Sequence, residues 1–353
     1  MAIPIVDSHI HLFPESHLPT LAWYAPGSPL GLQHSVDQYR EATRESSTLR
    51  GFIFLETDRL SSVEESGQHG WAHALDEVSF LARIASGNPV VGEGHNAEDR
   101  DLCLGIVPWA PVPGGPGALE KYMALVKERA KSDGIWRKVR GVRYLVQDKP
   151  AGIMLQPAFI EGLKWLGRRG LAFDLGVDAR QGGIWQLEEA AEMMRRVYGG
   201  VEDKDRVTIV INHMCKPNLR LQSASHQSTA NHPDFLQWKS QIIAMAQNPA
   251  AYMKLSGAFS EFPPLSPDSE PDTASLVEKL QPWTDVVFDA FGPERVMFGS
   301  DWPVCNVGGG GNQVTWSRWS RVVEGVLEWR GLVEEQRRGF WGQVAVKAYG
   351  VTI

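Results

Sequence analysis

Residues 4–13, PIVDSHIHLF, decide how this chain is read. An apolar run, Ile3 to Val6, leads directly into Asp7, Ser8 and the pair His9 and His11. In an extended chain residues two apart project from one face, so both imidazoles leave the strand on the same side. Two nitrogen ligands converging at a strand end suit a metal ion or a polar substrate. Near the other terminus Val296-Met297-Phe298 stops at Gly299-Ser300-Asp301-Trp302-Pro303, which sets a carboxylate on a strand end too. If the first and last strands of a closed barrel are neighbours, His9, His11 and Asp301 share one pocket despite their separation along the chain.

Eight short apolar, β-branched runs mark the frame: Ile3–Val6, Phe52–Leu55, Leu102–Val107, Val139–Leu145, Ala172–Val177, Val207–Ile211, Tyr252–Leu255 and Val296–Phe298. They are continuous rather than alternating, as strands of a parallel sheet covered by helices are. Helical spacing falls between them, at Val36–Glu45 after the N-cap candidate Ser35, then Ala118–Lys131, Pro157–Arg169, Gln186–Val197, Pro233–Ala246 and Ser275–Phe291. Arg318–Trp329 and Glu334–Tyr349 complete the helical set. Strand and helix alternate about eight times, which predicts an α/β fold, a (β/α)8 TIM barrel, as a single domain over residues 1–353. An open doubly wound sheet would carry a glycine-rich phosphate turn after its first strand; here histidines stand there. Gly308–Gly311 has no Lys-Ser/Thr after it and reads as a flexible loop. The segments Thr57–Arg100, His213–His232 and Phe259–Thr273 read as long loops at strand ends, where a barrel carries specificity.

Composition narrows the function. Hydrophobic residues make up 43% and charged residues 22% of 353, ordinary for a globular protein with a large core. A net charge of −7 argues against nucleic acid or an anionic membrane surface as partner, and leaves a small-molecule substrate. Cys103, Cys215 and Cys305 are odd in number and widely spaced, so a reducing compartment, the cytoplasm, is expected. No apolar run reaches membrane-spanning length, and Pro4 and Asp7 interrupt any signal-type core. A homo-oligomer is compatible with all of this.

Each strand end then contributes candidates. His213 closes the sixth strand in VTIVINHMCKP, where a third imidazole suits metal ligation or polarisation of a carbonyl. Asp301 is the carboxylate best placed to carry protons, because a strand end holds it rigidly. Its alternative use, as a helix N-cap, needs a helix starting at Trp302. Arg143, inside an apolar strand, either pairs with a carboxylate or faces the barrel mouth to bind substrate. Glu56 and Lys254, at the ends of the second and seventh strands, are further substrate contacts, with Lys216 a weaker one. Asp7 is expected as a structural acceptor. Asp174, Asp178 and Arg180 read equally as site residues or as loop anchors. His17, His34, His69, His73, His95, His226 and His232 read mostly as surface residues, with His95 a loop contact at most. Trp109, Trp185 and Trp302 follow strands and serve either to stack on a sugar face or to pack the core.

Together VDSHIHLF, GVRYLVQ, FDLGVD, INHMCKP, YMKLSG and RVMFGSDWPV resemble the amidohydrolase superfamily, and within it the branch that opens sugar-acid lactones. They run in the order the family requires, from residue 6 to residue 304. The resemblance implies that His9, His11, His213 and Asp301 surround one divalent metal, zinc, or the lactone carbonyl, since the branch works with or without an ion. It also implies that Arg143 binds substrate and Asp301 moves protons, with His213 assisting catalysis. The fourth and fifth strands offer Arg143 and Asp174 where binuclear members carry a bridging residue and a histidine, so a two-metal centre is not expected. The activity implied is hydrolysis of an aldonolactone such as L-rhamnono-lactone. A decarboxylase on the same barrel, or a non-catalytic sugar-acid binder, are the alternatives.

Overall fold

The structure, a computed structural model, describes residues 3–66, 70–221 and 229–353. Eight parallel strands form its centre: β1 Ile5–Ile10, β2 Leu49–Leu55, β3 Cys103–Val107, β4 Gly141–Arg143, β5 Ala172–Leu175, β6 Ile209–Ile211, β7 Ala251–Leu255 and β8 Val296–Phe298. The regular ladders run β1-β2-β3 and β4-β5-β6-β7-β8. Single parallel pairs complete the ring. Ile106 with Val139 and Trp109 with Arg143 join β3 to β4, and Ile10 with Trp302 joins β1 to the end of β8. The result is the (β/α)8 barrel.

A helix follows every strand. These helices are Val36–Ala42, Ala72–Ser86, Gly115–Ala130, Pro157–Gly167, Trp185–Tyr198, Pro233–Ala246, Thr273–Phe291 and Thr315–Trp329. Strand residues alternate between two destinations. Val6, Ile53, Leu55, Val107, Val210 and Met297 fill the barrel interior. Ile10, Phe52, Phe54, Ile106 and Phe298 face the helices and join the larger core. Val344–Tyr349 closes the lower end, because Ala345, Ala348 and Tyr349 pack into the interior cluster. Its closure leaves only the strand C-terminal ends open for a site.

A shift of phase in β1 matters for that site. Val6 pairs Gly51 and Asp7 pairs Phe52, but Ile10 pairs Phe54, so one strand holds an extra residue between Asp7 and Ile10. Such a β-bulge inverts the alternation beyond it. Val6 points inward; without the bulge His9, three residues on, would point out.

Several expectations need correction. Residues 57–100 are not one long loop, because Ala72–Ser86 is a helix with Ala74, Val78, Leu81 and Ala85 buried on one side. Gly87, at φ 68°, ends it in the left-handed conformation that glycine adopts at little cost. The C-terminal helix is broken into Glu334–Arg338 and Val344–Tyr349 by a π turn at Gly339–Gln343. The glycine run 308–311 is partly helical, within Cys305–Gly309. Gly308 is required there for packing, not flexibility: a Cβ would lie 1.9 Å from the carbonyl oxygen of Phe259. The expected loop Phe259–Thr273 opens with a short helix, Ala258–Glu261. Part of His213–His232 lies outside the described residues. Among the described residues no helix is long and apolar enough to cross a membrane.

Candidate active site

The seam between β1 and β8 brings the chain ends together. Asp301 N–H donates to the His9 carbonyl (2.9 Å), and His11 N–H donates to the Trp302 carbonyl (2.8 Å). Asp7 points outward and fastens the seam from behind. Its carboxylate accepts from Ser300 N (2.8 Å), Tyr39 Oη (3.0 Å) and Trp316 Nε1 (3.0 Å). Asp7 is thus the structural acceptor the sequence suggested.

On the inner side three imidazoles surround one carboxylate oxygen. Asp301 Oδ1 lies 3.5 Å from His9 Nε2, 3.8 Å from His11 Nε2 and 3.6 Å from His213 Nε2. Asp301 is not a helix N-cap, because the next helix starts at Cys305 behind Val304. Its own φ is 63°, and His213 to Lys216 also hold positive φ, between 48° and 61°. Left-handed backbone costs a non-glycine residue roughly 1–2 kcal/mol. The His213–Lys216 turn is held by outside partners: Ala179 N bonds the Cys215 carbonyl, Arg180 N the Lys216 carbonyl, and Trp238 Nε1 the Met214 carbonyl. Gly257 faces the His213 ring so closely that a Cβ would lie 2.6 Å from Nδ1.

Protonation follows from burial and neighbours. Burial pushes His213 down to about 3 and His9 well below its ordinary value, so both rings are neutral at pH 7. Burial acts upward on the Asp301 carboxyl, but His213 and His11 outweigh it and hold the group below its usual range. Asp301 is therefore an ionised base facing the neutral rings of His9 and His213.

The donor set fits one divalent ion. His11 Nδ1 lies 3.0 Å from the carbonyls of Leu55 and Glu56, which only accept, so Nδ1 carries the hydrogen and Nε2 offers its lone pair. His213 Nδ1 is engaged by Ser256 Oγ at 2.8 Å, leaving Nε2 toward the cluster. His9, His213 and Asp301 each offer a ligand atom within 4.8 Å of the others. Ligand–ligand edges in a tetrahedral zinc site are about 3.4 Å for bonds near 2.1 Å, close to the spacing here. His9 differs in its outer partner, Lys254 Nζ, 3.2 Å from Nδ1. With Lys254 as an ammonium, the His9 hydrogen sits on Nε2 and points to His11 Nε2, 3.2 Å away. With Lys254 neutral, His9 Nε2 is free to ligate. Burial lowers Lys254 to about 8.

His11, His213 and Asp301 form the floor of a cavity of about 520 Å³ at the barrel mouth, with His9 buried beneath them. Arg143 lines it, 7% exposed, with its Nε unpartnered. Arg143 Nη1 lies 3.4 Å from Glu56 Oε1, longer than a strong charge-assisted bond. Burial therefore wins over Arg143, and Glu56 is pushed up to about 8. Lys216 lines the same cavity. Lys254 does not, which corrects its expected contact with substrate. It is fully buried in the barrel, 2.6 Å from Asp174 Oδ1, and Tyr349 Oη donates to Asp174 Oδ2 at 2.7 Å. Lys254 touches the cluster at His9, with Nζ 3.2 Å from Nδ1.

The remaining candidates lie elsewhere. Arg180 pairs with Glu261 and Asp178 accepts from Gln181 N, so both anchor loops. His34 and His95 are buried, not surface residues: His34 packs edge-on against Trp302, and His95 meets Glu93 at 3.3 Å. Trp109 and Trp302 belong to the core. His69 and His226 lie outside the described residues. Among the cavity residues that the sequence left unnamed are Trp23, Leu30, Asp58 and Asp148. Nearness to the end of β2 could have suggested Asp58, whereas Trp23 stands 13 residues beyond β1 and carries no such signal.

The family model described as amidohydrolase matches residues 6–351. L-rhamnono-gamma-lactonase of Scheffersomyces stipitis is 34% identical over 350 residues, 98% of each chain. L-fucono-1,5-lactonase of Burkholderia multivorans is 29% identical over 61% of this chain and 65% of its own length. An amidohydrolase structure from Burkholderia multivorans with bound zinc is 23% identical, covers 99% of this chain and 100% of that one, and superposes with a TM-score of 0.68. That likeness concerns the fold. With the strand-end cluster assembled and the family pattern spanning residues 6–351, this chain belongs to the amidohydrolase family.

Proposed function

We propose that the chain is a lactonase that hydrolyses a sugar-acid lactone, L-rhamnono-lactone or a related aldonolactone, to the free acid. The observation that carries this is the Asp301 carboxylate oxygen ringed by the Nε2 atoms of His9, His11 and His213, at the floor of a substrate-sized cavity lined by His11, His213 and Asp301. The near-full-length similarity to a rhamnono-lactonase supports the substrate class.

In the reaction, water attacks the lactone carbonyl carbon while Asp301 takes its proton. The ester C–O bond then breaks, and Asp301 returns the proton to the departing ring oxygen. Arg143, with donors to spare, binds polar oxygens of the substrate, and His213 faces the developing oxyanion. An ester leaves readily enough that one carboxylate serves both transfers. His9, His11, His213 and Asp301 would hold one divalent ion, zinc; when bound, it supplies Lewis acidity to the carbonyl and a more acidic water. One domain carries the site, and three unpaired buried cysteines fit a reducing cytoplasm.

The test is acid release from a panel of aldonolactones at neutral pH, read with an indicator dye. Turnover of L-rhamnono- or L-fucono-lactones is expected. Silence on every lactone, with CO2 released from carboxylated aromatics instead, would replace the lactonase by a decarboxylase; ligand binding without turnover would leave a binder.

A further inference from the structure

Each imidazole of the cluster has an outer nitrogen that must be held, and the three are held differently. His11 Nδ1 rests on the main-chain carbonyls of Leu55 and Glu56, and His213 Nδ1 on the Ser256 hydroxyl. Those supports are short and lie at strand ends. His9 Nδ1 instead meets Lys254 Nζ at 3.2 Å. A long flexible stem separates that nitrogen from the backbone, so Lys254 orients a ring only if it is itself fixed.

It is fixed from two sides. Asp174 Oδ1, on β5, accepts from Nζ at 2.6 Å, and Nζ stands 5.3 Å from the centroid of the Tyr349 ring. Tyr349 Oη donates to the other Asp174 oxygen at 2.7 Å, which closes a triangle of contacts. Tyr349 ends the helix that closes the lower barrel, and its carbonyl accepts from Arg140 Nε at 2.6 Å. His9, Asp174 and Lys254 are fully buried and Tyr349 is nearly so. Around them the barrel interior is apolar, with Val6, Ile53, Leu55, Val107, Val210 and Met297. A charged pair in such surroundings adds little to stability, because apolar residues of similar volume usually hold a fold as well or better. Orientation is what remains for it to supply.

We infer that Lys254, Asp174 and Tyr349 are positioning residues that aim the His9 ring at Asp301, so that the C-terminal helix supports the site from the far end of the barrel. The kinetic consequence rests on the lactonase proposal above; the fixed ring does not. Without the triangle, His9 Nδ1 loses a partner of fixed position and Nε2 loses its aim.

The experiment uses two variants. Lys254→Met/Asp174→Leu/Tyr349→Phe fills the same space with carbon. Its urea midpoint is expected near the native one, whereas kcat on L-rhamnono-lactone should fall about 10- to 100-fold with KM within about twofold. A merely structural set would let kcat follow stability. Tyr349→Phe alone removes one hydroxyl, which reaches His9 only through Asp174 and Lys254. In metal-free protein labelled with 15N-histidine, it should shift the ring-nitrogen signals of His9, assigned with His9→Gln, and leave those of His95 in place. Native kcat in the triple variant, or His9 signals unmoved by Tyr349→Phe, overturns the inference. If the triple variant does not fold, the Tyr349→Phe signals decide alone. No turnover of any lactone defeats the lactonase proposal, while the nitrogen signals still decide this one.

Discussion

The backbone amide of Asp301 donates to the carbonyl of His9 across 2.9 Å. One hydrogen bond thus fixes the proposed proton carrier against the first imidazole, and it does so at the place where the barrel closes. Rigidity at this point is what proton transfer to and from a water demands, since the reacting atoms must stay within hydrogen-bond reach.

Asp301→Asn keeps the shape of the side chain but cannot take up a proton. Turnover of lactone should fall by about 10²- to 10⁴-fold, with little change in the thermal midpoint. Activity within a few-fold of native would remove Asp301 from the proposed chemistry.

Asp7→Asn tests the clamp behind the seam. An amide nitrogen in place of Oδ2 would face the indole N–H of Trp316, which can only donate. Losing hydrogen bonds to a charged acceptor should cost about 1.5–3 kcal/mol, seen in denaturant melts. Because Ser300 precedes Asp301, kcat should drop more than KM rises. An unaltered melt would show that the seam does not depend on this carboxylate.

Lys254→Met leaves Asp174 unpaired in the barrel interior, with only Tyr349 as donor. Breaking a buried ion pair from one side should destabilise the fold by about 3–5 kcal/mol. Replacing Asp174 as well, in Lys254→Met/Asp174→Leu, should recover most of that loss. If the double variant is as unstable as the sum of the two single ones, the pair is not coupled.

Glu56 links stability to pH. In the fold its carboxyl holds its proton up to about 8, against 4.5 for the free group, because burial penalises the charge more than Arg143 favours it. The folded state therefore binds the proton more tightly, and the contribution is complete below pH 4.5 and lost as pH rises through 8. Glu56→Gln should flatten this part of the stability profile, measured by urea melts at several pH values. An unchanged slope would mean that the group ionises normally in the fold.

Metal content provides a check that needs no substrate. Protein purified without chelators should carry one divalent ion per chain, and His9→Ala and His213→Ala should each abolish retention. Equal metal in native and variant protein would place the ion elsewhere.

Much of the frame was legible from periodicity. All eight apolar runs overlap strands, and seven of the expected helices follow them, because continuous apolar stretches and 3.6-residue spacing are local signals. The helix Ala72–Ser86 was legible too, through Ala74, Val78, Leu81 and Ala85 and the terminal Gly87, but it disappeared inside a segment read as loop. Glu334–Tyr349 shows the opposite failure, since its spacing continues through a π turn in which Phe340 and Trp341 are buried.

At the site, residue type together with strand-end position pointed to His9, His11, His213 and Asp301, and the fold sets the three imidazoles around one oxygen of that carboxylate. Lys254 was misjudged because a strand-end lysine looks the same in sequence whether it faces the mouth or the layer beneath. Only the presence of Asp174 and Tyr349 around it decides, and both arrive from distant segments.

The linear sequence was thus sufficient for the alternation of strand and helix and for the identity of the clustered imidazoles and carboxylate, since these depend on short-range pattern and side-chain chemistry. The tertiary structure decided which way they point. The extra residue between Asp7 and Ile10 turns His9 inward, and the seam bonds from His9 and His11 to Asp301 and Trp302 set the distances. Register and closure are relations between strands, and no single segment encodes the partner that sets its phase.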